Sequence, residues 1–173
     1  QIIDSTTVTL FSNMLFKGVG RHPKTGKKKG GIKVHTNIHA NEGVPSDVKF
    51  TSAATNDSFM LKPTNYIEGD IVALDRAYID YGKFEELTSR GVIYVTKMKK
   101  NLVYQIDEDT AYMTPEGLME YRVKHVTFTK KVAEGSDIVH KARIVTYVDI
   151  KKNKQAKLIS LLTNDMEMPV EEI

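Results

Sequence analysis

The most constraining feature of the sequence is the stretch GDIVALDRAYIDY at residues 69–81, where a short apolar run ends at a carboxylate. The run from Ile71 to Leu74 contains β-branched residues, a pattern typical of a buried strand. A charge at the end of such a strand is costly to bury unless it is paired or binds a metal. Asp75 is therefore either part of a functional cleft or a turn aspartate that caps the next segment.

A second strand-like stretch, QIIDSTTVTL at residues 1–10, also contains one acid, Asp4. Because aspartate is uncommon in strands, two such acids suggest that their strands are neighbours and that the carboxylates converge. Paired carboxylates provide the hard oxygen ligands of Mg²⁺ or Mn²⁺, with coordination positions left for phosphate oxygens and water. The pair therefore points to phosphoryl transfer.

Residues 17–33 contain basic side chains and no acid, interrupted by glycine and proline. The basic residues are Lys17, Arg21, Lys24, Lys27, Lys28, Lys29 and Lys33. This composition predicts a solvated loop, which is either a plain connection or an arm that contacts phosphates. The loop does not match a phosphate-binding P-loop, because Gly26-Lys27 is followed by lysine rather than Ser or Thr.

Residues 31–40 and 44–53 predict two antiparallel strands joined by a turn at 41–43. The first alternates apolar and polar residues, and Lys33 and His35 on its polar face are expected to be plain surface residues or DNA contacts. His35 and His39 would stand about 13 Å apart on a strand, too far to share one zinc ion.

The remaining pattern predicts an α/β fold. Asp80 is expected to cap a helix over residues 81–90 that Gly91 ends, followed by a strand at 92–96. Three hairpin-ordered strands, a crossover and a fourth strand would place that fourth strand parallel to the first and beside it, with Asp75 next to Asp4. Beyond residue 101, strands are predicted at 123–131, 138–150 and 156–162.

Composition limits the class of protein. The 173 residues are 40% hydrophobic and 27% charged, as in ordinary globular domains, and suffice for one domain. The chain contains no cysteine, which excludes disulfides and thiolate metal sites. No apolar run reaches the roughly 18 residues of a membrane span. The net charge of +3 is too small to identify a partner.

Four segments resemble, in order, the catalytic core of the DDE transposases of bacterial insertion sequences, the insertion sequence 4-like group. They are IIDSTTVTL, GGIKVHTNIHA, GVPSDVKFTSAATNDS and GDIVALDRAYIDYGKFEEL. The resemblance implies an RNase H-like fold and a site in which two aspartates and one glutamate hold two divalent metals. Asp4 matches the first aspartate and Asp75 the second, with Ala77 and Tyr78 in the small and aromatic positions that follow it.

The resemblance also implies an organisation. Residues 1–100 would be the RNase H-like core, a mixed sheet of three antiparallel and then two parallel strands with helices. Residues 101–163 would be a β-rich insertion, and 164–173 the start of a helix. The family's glutamate follows a tyrosine and an arginine at set spacings, which Tyr121-Arg122 does not reproduce. The third carboxylate is therefore expected beyond Ile173, and this segment alone is expected to cut DNA poorly or not at all.

The expected partners are transposon-end and target DNA, with Mg²⁺ or Mn²⁺ as cofactor, no membrane, a homodimer in the DNA complex, and a cytoplasmic, nucleoid-associated location in a bacterium. The expected DNA contacts are the basic residues of the loop, together with His35, Arg76, Tyr78 and Lys97. Two other functions remain open: an RNase H-like nuclease, since fold alone does not separate the two, and a non-catalytic nucleic-acid-binding domain in which Asp4 and Asp75 only cap and pair.

Overall fold

The computed structural model describes residues 1–9, 31–149 and 156–173. These residues form two compact units, 1–62 and 63–173, each of which is described by itself. Within the described ranges the chain has nine strands, one α-helix and four short 3₁₀ turns. The protein is therefore a mixed α/β structure rich in strands, as predicted in outline.

The first unit contains a three-stranded antiparallel sheet. Its strands are β1 (Ile2–Thr9), β2 (Gly31–His39) and β3 (Val44–Ser52), with β2 in the middle. The turn between β2 and β3 has Gly43 at φ 66°, the left-handed conformation that glycine adopts without strain. The predicted hairpin is confirmed.

The two faces of this sheet differ from the expected pattern. His35 on the polar face of β2 is fully buried, whereas Phe50 on β3 is 70% exposed. A 3₁₀ turn, Asp57–Met60, contributes side chains that bond to the polar face, and Asn56 caps it by accepting from the amide of Ser58 at 3.1 Å. The prediction that Lys33 and His35 are plain surface residues is therefore wrong, because polar groups of this turn compensate their burial.

The second unit contains a six-stranded mixed sheet and the helix α1 (Tyr81–Ser89). Its strands run in the order β4, β5, β9, β8, β7, β6. Their bounds are β4 Ile71–Leu74, β5 Ile93–Lys97, β6 Gln105–Met113, β7 Met119–Lys130, β8 Ile138–Asp149 and β9 Lys157–Thr163. Strands β4 and β5 are parallel, as predicted, and the other neighbouring pairs are antiparallel.

Helix α1 forms as the sequence predicts. Asp80 caps it by accepting from the amides of Gly82 and Lys83 at 3.0 and 3.3 Å. Phe84 and Leu87 are fully buried, and the Phe84 ring stacks on Tyr94 of β5 with 3.9 Å between ring centroids. This apolar stripe joins the helix to the sheet.

Strand β6 was not predicted. Its sequence around residues 107–109 is acidic, a composition that is uncommon in strands and more typical of a polar connection. The structure pairs it with β7 through cross-strand charges: Asp109 receives two hydrogen bonds of 2.6 Å from Arg122, and Glu108 lies 3.3 Å from His125. These pairs offset the low strand propensity of the acids.

The sheet predicted for the core is also larger than expected. Strand β9 pairs antiparallel with β5, so the predicted β-rich insertion continues the sheet of β4 and β5. The described ranges thus contain nine strands, where five were predicted for the core and the remainder for a β-rich insertion. The boundary predicted at residue 100 falls inside the second unit. Among the residues that the structure describes, no helix has the length and apolar character to cross a bilayer.

Candidate functional site

Asp75 stands directly after β4, at the carboxyl end of the strand, and is exposed. Its Oδ1 accepts a hydrogen bond of 2.8 Å from the amide of Ala77 and caps the 3₁₀ turn Arg76–Tyr78. The simple interpretation of a turn-capping aspartate is thus confirmed locally. The cap engages one carboxylate oxygen, and an exposed aspartate retains a second oxygen able to bind a cation.

Asp4 lies in the middle of β1, opposite Thr36 of β2, and is exposed. Its Oδ1 accepts a hydrogen bond of 2.7 Å from the amide of Ser5. A main-chain donor therefore restricts this carboxylate as well, on a strand whose neighbours fix its direction. Both predicted ligands have the same character: each is an exposed aspartate on or directly after a strand, with one oxygen held by the backbone.

These two carboxylates fit a hard divalent cation by their chemistry. Mg²⁺ and Mn²⁺ take carboxylate oxygens and keep several water molecules, so a site needs few protein ligands. Asp4 belongs to the first unit and Asp75 to the second, so the predicted meeting of the two stays a prediction. In the part of the chain that the structure describes, no cluster of three or more His, Cys, Asp or Glu side chains forms a ready metal site.

Lys97 and Arg76 are exposed near the same sheet edge as Asp75. In the parallel pair, Leu74 lies opposite Thr96, so Asp75 and Lys97 each occupy the next position along their strands. Ligands of α/β sheets commonly bind beyond the carboxyl ends of parallel strands. This edge therefore presents one acid and two basic side chains where a phosphodiester could bind.

Three of the expected DNA contacts are placed where direct contact does not fit. His35 and Tyr78 are both fully buried. Lys33 is nearly buried, lies 3.0 Å from Asp57 and donates to the carbonyl of Thr55 at 2.8 Å. We therefore correct these predictions: each side chain is covered, and the ammonium of Lys33 is neutralised by a carboxylate. The expected contacts Lys17, Arg21, Lys24, Lys27, Lys28 and Lys29 lie outside the described residues.

Sequence reasoning missed the role of Asp57, which lies at the centre of a polar cluster in the first unit. Its Oδ1 accepts from Ser5 Oγ at 2.8 Å and from Lys33 at 3.0 Å, and lies 3.6 Å from Nδ1 of His35. Burial lowers the pKa of His35. The negative charge of Asp57 partly opposes this lowering, and the positive charge of Lys33 adds to it. Asp57 was visible in the sequence only as a helix-capping residue type, because its partners are remote in the chain.

A second buried network was also missed. His140 of β8 is hydrogen-bonded through Nδ1 to the carboxylate of Glu85 of α1. Its Nε2 is hydrogen-bonded to the hydroxyl of Tyr94 at 2.6 Å. Burial lowers the pKa of His140, and the carboxylate of Glu85 partly counters that. Burial, Glu85 and Tyr81 hold the pKa of Tyr94 well above its ordinary value. The Glu85 side chain is 41% exposed, so the carboxylate bonds to buried His140 from the surface of the helix.

Arg143 of β8 is a third buried polar group, only 5% exposed. Its guanidinium donates to the carbonyls of Met166 and Met168 at 3.1 and 2.5 Å. These bonds hold the segment after β9 against the sheet, beside a cleft of about 400 Å³ whose lining includes Tyr112 and Tyr121. The buried charge thus serves to anchor a chain segment whose carbonyls would otherwise lack a donor.

The chain was compared with curated proteins and with protein-family models. A search of curated proteins finds no match. The family model described as transposase DDE domain matches residues 1–173, the whole length of the chain. That match agrees with the resemblance of the four quoted segments. The chain is therefore a member of the transposase DDE domain family.

Proposed function

We propose that this chain supplies the first two carboxylates of a metal-dependent DNA transposase that cleaves transposon ends and joins them to target DNA. Membership of the transposase DDE domain family, over the whole chain, carries the proposal and links the protein to DNA transposition. Asp4 and Asp75 are the proposed metal ligands and catalytic residues. The proposal includes an RNase H-like core, the insertion sequence 4-like group and a homodimer on DNA.

The local geometry of each carboxylate supports this role. Asp4 and Asp75 are exposed, and each is oriented by one main-chain hydrogen bond, at 2.7 and 2.8 Å respectively. A ligand whose orientation is already restricted loses less entropy when it binds. The proposal further requires that the two carboxylates converge on one cation.

In the proposed mechanism, Asp4 and Asp75 hold and orient Mg²⁺ or Mn²⁺, which when bound would activate the attacking hydroxyl and stabilise the leaving oxygen of the phosphodiester. The exposed side chains of Arg76 and Lys97 would bind phosphates beside Asp75 and neutralise their charge. Because such contacts release counterions, DNA binding should weaken as salt concentration rises.

Convergence can be measured with Mn²⁺, whose unpaired electrons broaden nearby amide resonances in the NMR spectrum of the 173-residue chain. We expect the amides of Ser5 and Ala77 to broaden together at the same Mn²⁺ concentration. The Asp4→Asn variant should reduce broadening at Ala77 as well, because a shared ion loses a ligand. If only one amide broadens, or if Asp4→Asn leaves Ala77 unchanged, the two residues do not share a cation.

Catalysis is tested with the transposase on a plasmid that carries the DNA flanking its gene. Asp4→Asn and Asp75→Asn should abolish strand cutting and joining and leave DNA binding within about twofold of the wild type, because the phosphate contacts remain. Unchanged cutting in both variants would refute the assignment of these residues. Cutting without joining, abolished by the same variants, would favour the RNase H-like nuclease.

A further inference from the structure

The Asp57 cluster lies on the face of the first sheet opposite to Asp4. Successive residues of a strand point to opposite faces, so Ser5 projects away from the side that carries Asp4. On that other face the Asp57 carboxylate accepts a hydrogen bond from Ser5 Oγ of β1 and forms an ion pair with the ammonium of Lys33 of β2. The Asp57 side chain therefore connects the neighbouring strands β1 and β2 on the face opposite to Asp4.

The side chains of the cluster are largely buried, so the cluster is not a surface contact. The side chains of Lys33 and Asp57 are only 11% and 18% exposed, and that of His35 is fully buried. His35 Nε2 is hydrogen-bonded to Thr51 Oγ1 of β3 at 2.8 Å, so the third strand is connected as well. Among the described residues, Nδ1 of His35 has no hydrogen-bond partner and faces the Asp57 carboxylate from 3.6 Å.

Ser5 connects this cluster to the candidate metal ligand. Its hydroxyl donates to Asp57 at 2.8 Å, and its main-chain amide donates to Oδ1 of Asp4 at 2.7 Å. The bond to Asp57 restrains the Ser5 side chain, and together with the pairing of β1 and β2 it restrains the residue whose amide contacts Asp4. Ser5 thus links the Asp4 carboxylate to a contact made 52 residues further along the chain.

We infer that Asp57, with Lys33 as its counter-charge, is a positioning residue for Asp4, acting through Ser5. The inference rests on the proposed function, in which Asp4 is a metal ligand. Asp57 neither binds the metal nor touches the DNA in this account. It holds the strand and the amide that aim the carboxylate, the role that outer partners of metal ligands commonly have.

The test compares Asp57→Asn and Ser5→Ala with the control Asp47→Asn in the intact 173-residue chain. Asp47 is an aspartate of the same unit that pairs with Lys49 at 2.8 Å, so its substitution removes the same charge without touching the cluster. We expect Asp57→Asn and Ser5→Ala to weaken Mn²⁺ binding by about three- to tenfold, and Asp47→Asn by less than about twofold. Because Ser5→Ala changes no charge, its effect would be one of geometry.

A metal-free measurement separates this inference from the proposed function. The amide proton of Ser5 donates to a carboxylate and should resonate downfield and exchange slowly in the wild type, and Asp57→Asn should remove both properties. If Mn²⁺ does not bind through Asp4 but Asp57→Asn alters the amide, the proposed function fails and the positioning contact stands. If Mn²⁺ binds through Asp4 and Asp57→Asn changes neither affinity nor the amide, the positioning role is overturned.

The chemical shifts of the second unit serve as the folding control. They should be unchanged in every variant. If Asp57→Asn unfolds the first unit, the Ser5→Ala variant tests the positioning role instead. It removes one hydroxyl and keeps the charges of Asp57 and Lys33. Mn²⁺ affinity of Ser5→Ala equal to the wild type would then overturn the inference, and a threefold or larger loss would support it.

Discussion

The carboxylate of Asp75 accepts a 2.8 Å hydrogen bond from the amide of Ala77, so the proposed second metal ligand is also the cap of a 3₁₀ turn. The two roles make different demands on the side chain. Capping requires a short side chain with an oxygen acceptor, whereas cation binding requires a negative charge. Asparagine satisfies the first demand and not the second.

We therefore predict that Asp75→Asn preserves stability and abolishes activity, whereas Asp75→Ala loses both. The free energy of unfolding should fall by about 1 kcal/mol in Asp75→Ala, the usual cost of a lost cap, and by less than about half of that in Asp75→Asn. Urea denaturation followed by circular dichroism measures the difference. Equal stability of the alanine and asparagine variants would mean that the cap contributes nothing.

Gly91 should tolerate alanine worse than Gly69, although both glycines have positive φ, at 68° and 86°. The left-handed backbone alone costs an alanine roughly 1–2 kcal/mol at either position. A Cβ at Gly91 would in addition lie 2.8 Å from Cγ of Glu68, whereas at Gly69 it would meet nothing within 4 Å. Urea denaturation should show Gly91→Ala to be the less stable variant, and the reverse order would contradict this steric account.

The buried His140 should make stability depend on pH. Because burial lowers its pKa in the folded state, the unfolded chain binds the proton more readily. This contribution is fully present above the unfolded pKa of about 6.5 and is lost as pH falls through the lower folded pKa. His35, whose pKa is also lowered by burial, acts in the same direction.

We expect the free energy of unfolding to decrease from pH 7.5 toward pH 5, and the decrease to be shallower in His140→Asn. The asparagine amide can still donate to Glu85 but does not titrate. Urea titrations at a series of pH values, with His39→Asn as the exposed histidine control, measure the slopes. A slope identical to the wild type in His140→Asn would contradict the assignment.

Arg143 should be far more important to stability than Arg122. Arg143→Met leaves the carbonyls of Met166 and Met168 without their donor, and we expect a loss of about 2–3 kcal/mol together with faster amide exchange over residues 165–172. Arg122→Met removes an exposed pair with Asp109 and should change stability much less. Similar losses in the two variants would show that burial does not decide the effect.

Much of the local structure followed from the sequence because it depends on neighbours in the chain. The turn at Gly43, the cap at Asp80 and the inward Phe84 and Leu87 are set by side-chain type and spacing within a few residues. Strand β6 could not be predicted in this way. Its acids favour a connection until Arg122 and His125 of the next strand pair with them.

The same division applies to the candidate site. The sequence by itself identified Asp4 and Asp75 as candidate ligands, placed them in strand-like segments and showed the family resemblance. All three depend on residue types that are close together in the chain. Only the tertiary structure decided that His35, Lys33 and Tyr78 are covered and that Asp57 bonds to Ser5. The physical reason is that burial and hydrogen-bond partners arise between residues remote in the chain, and no local pattern records which of them meet.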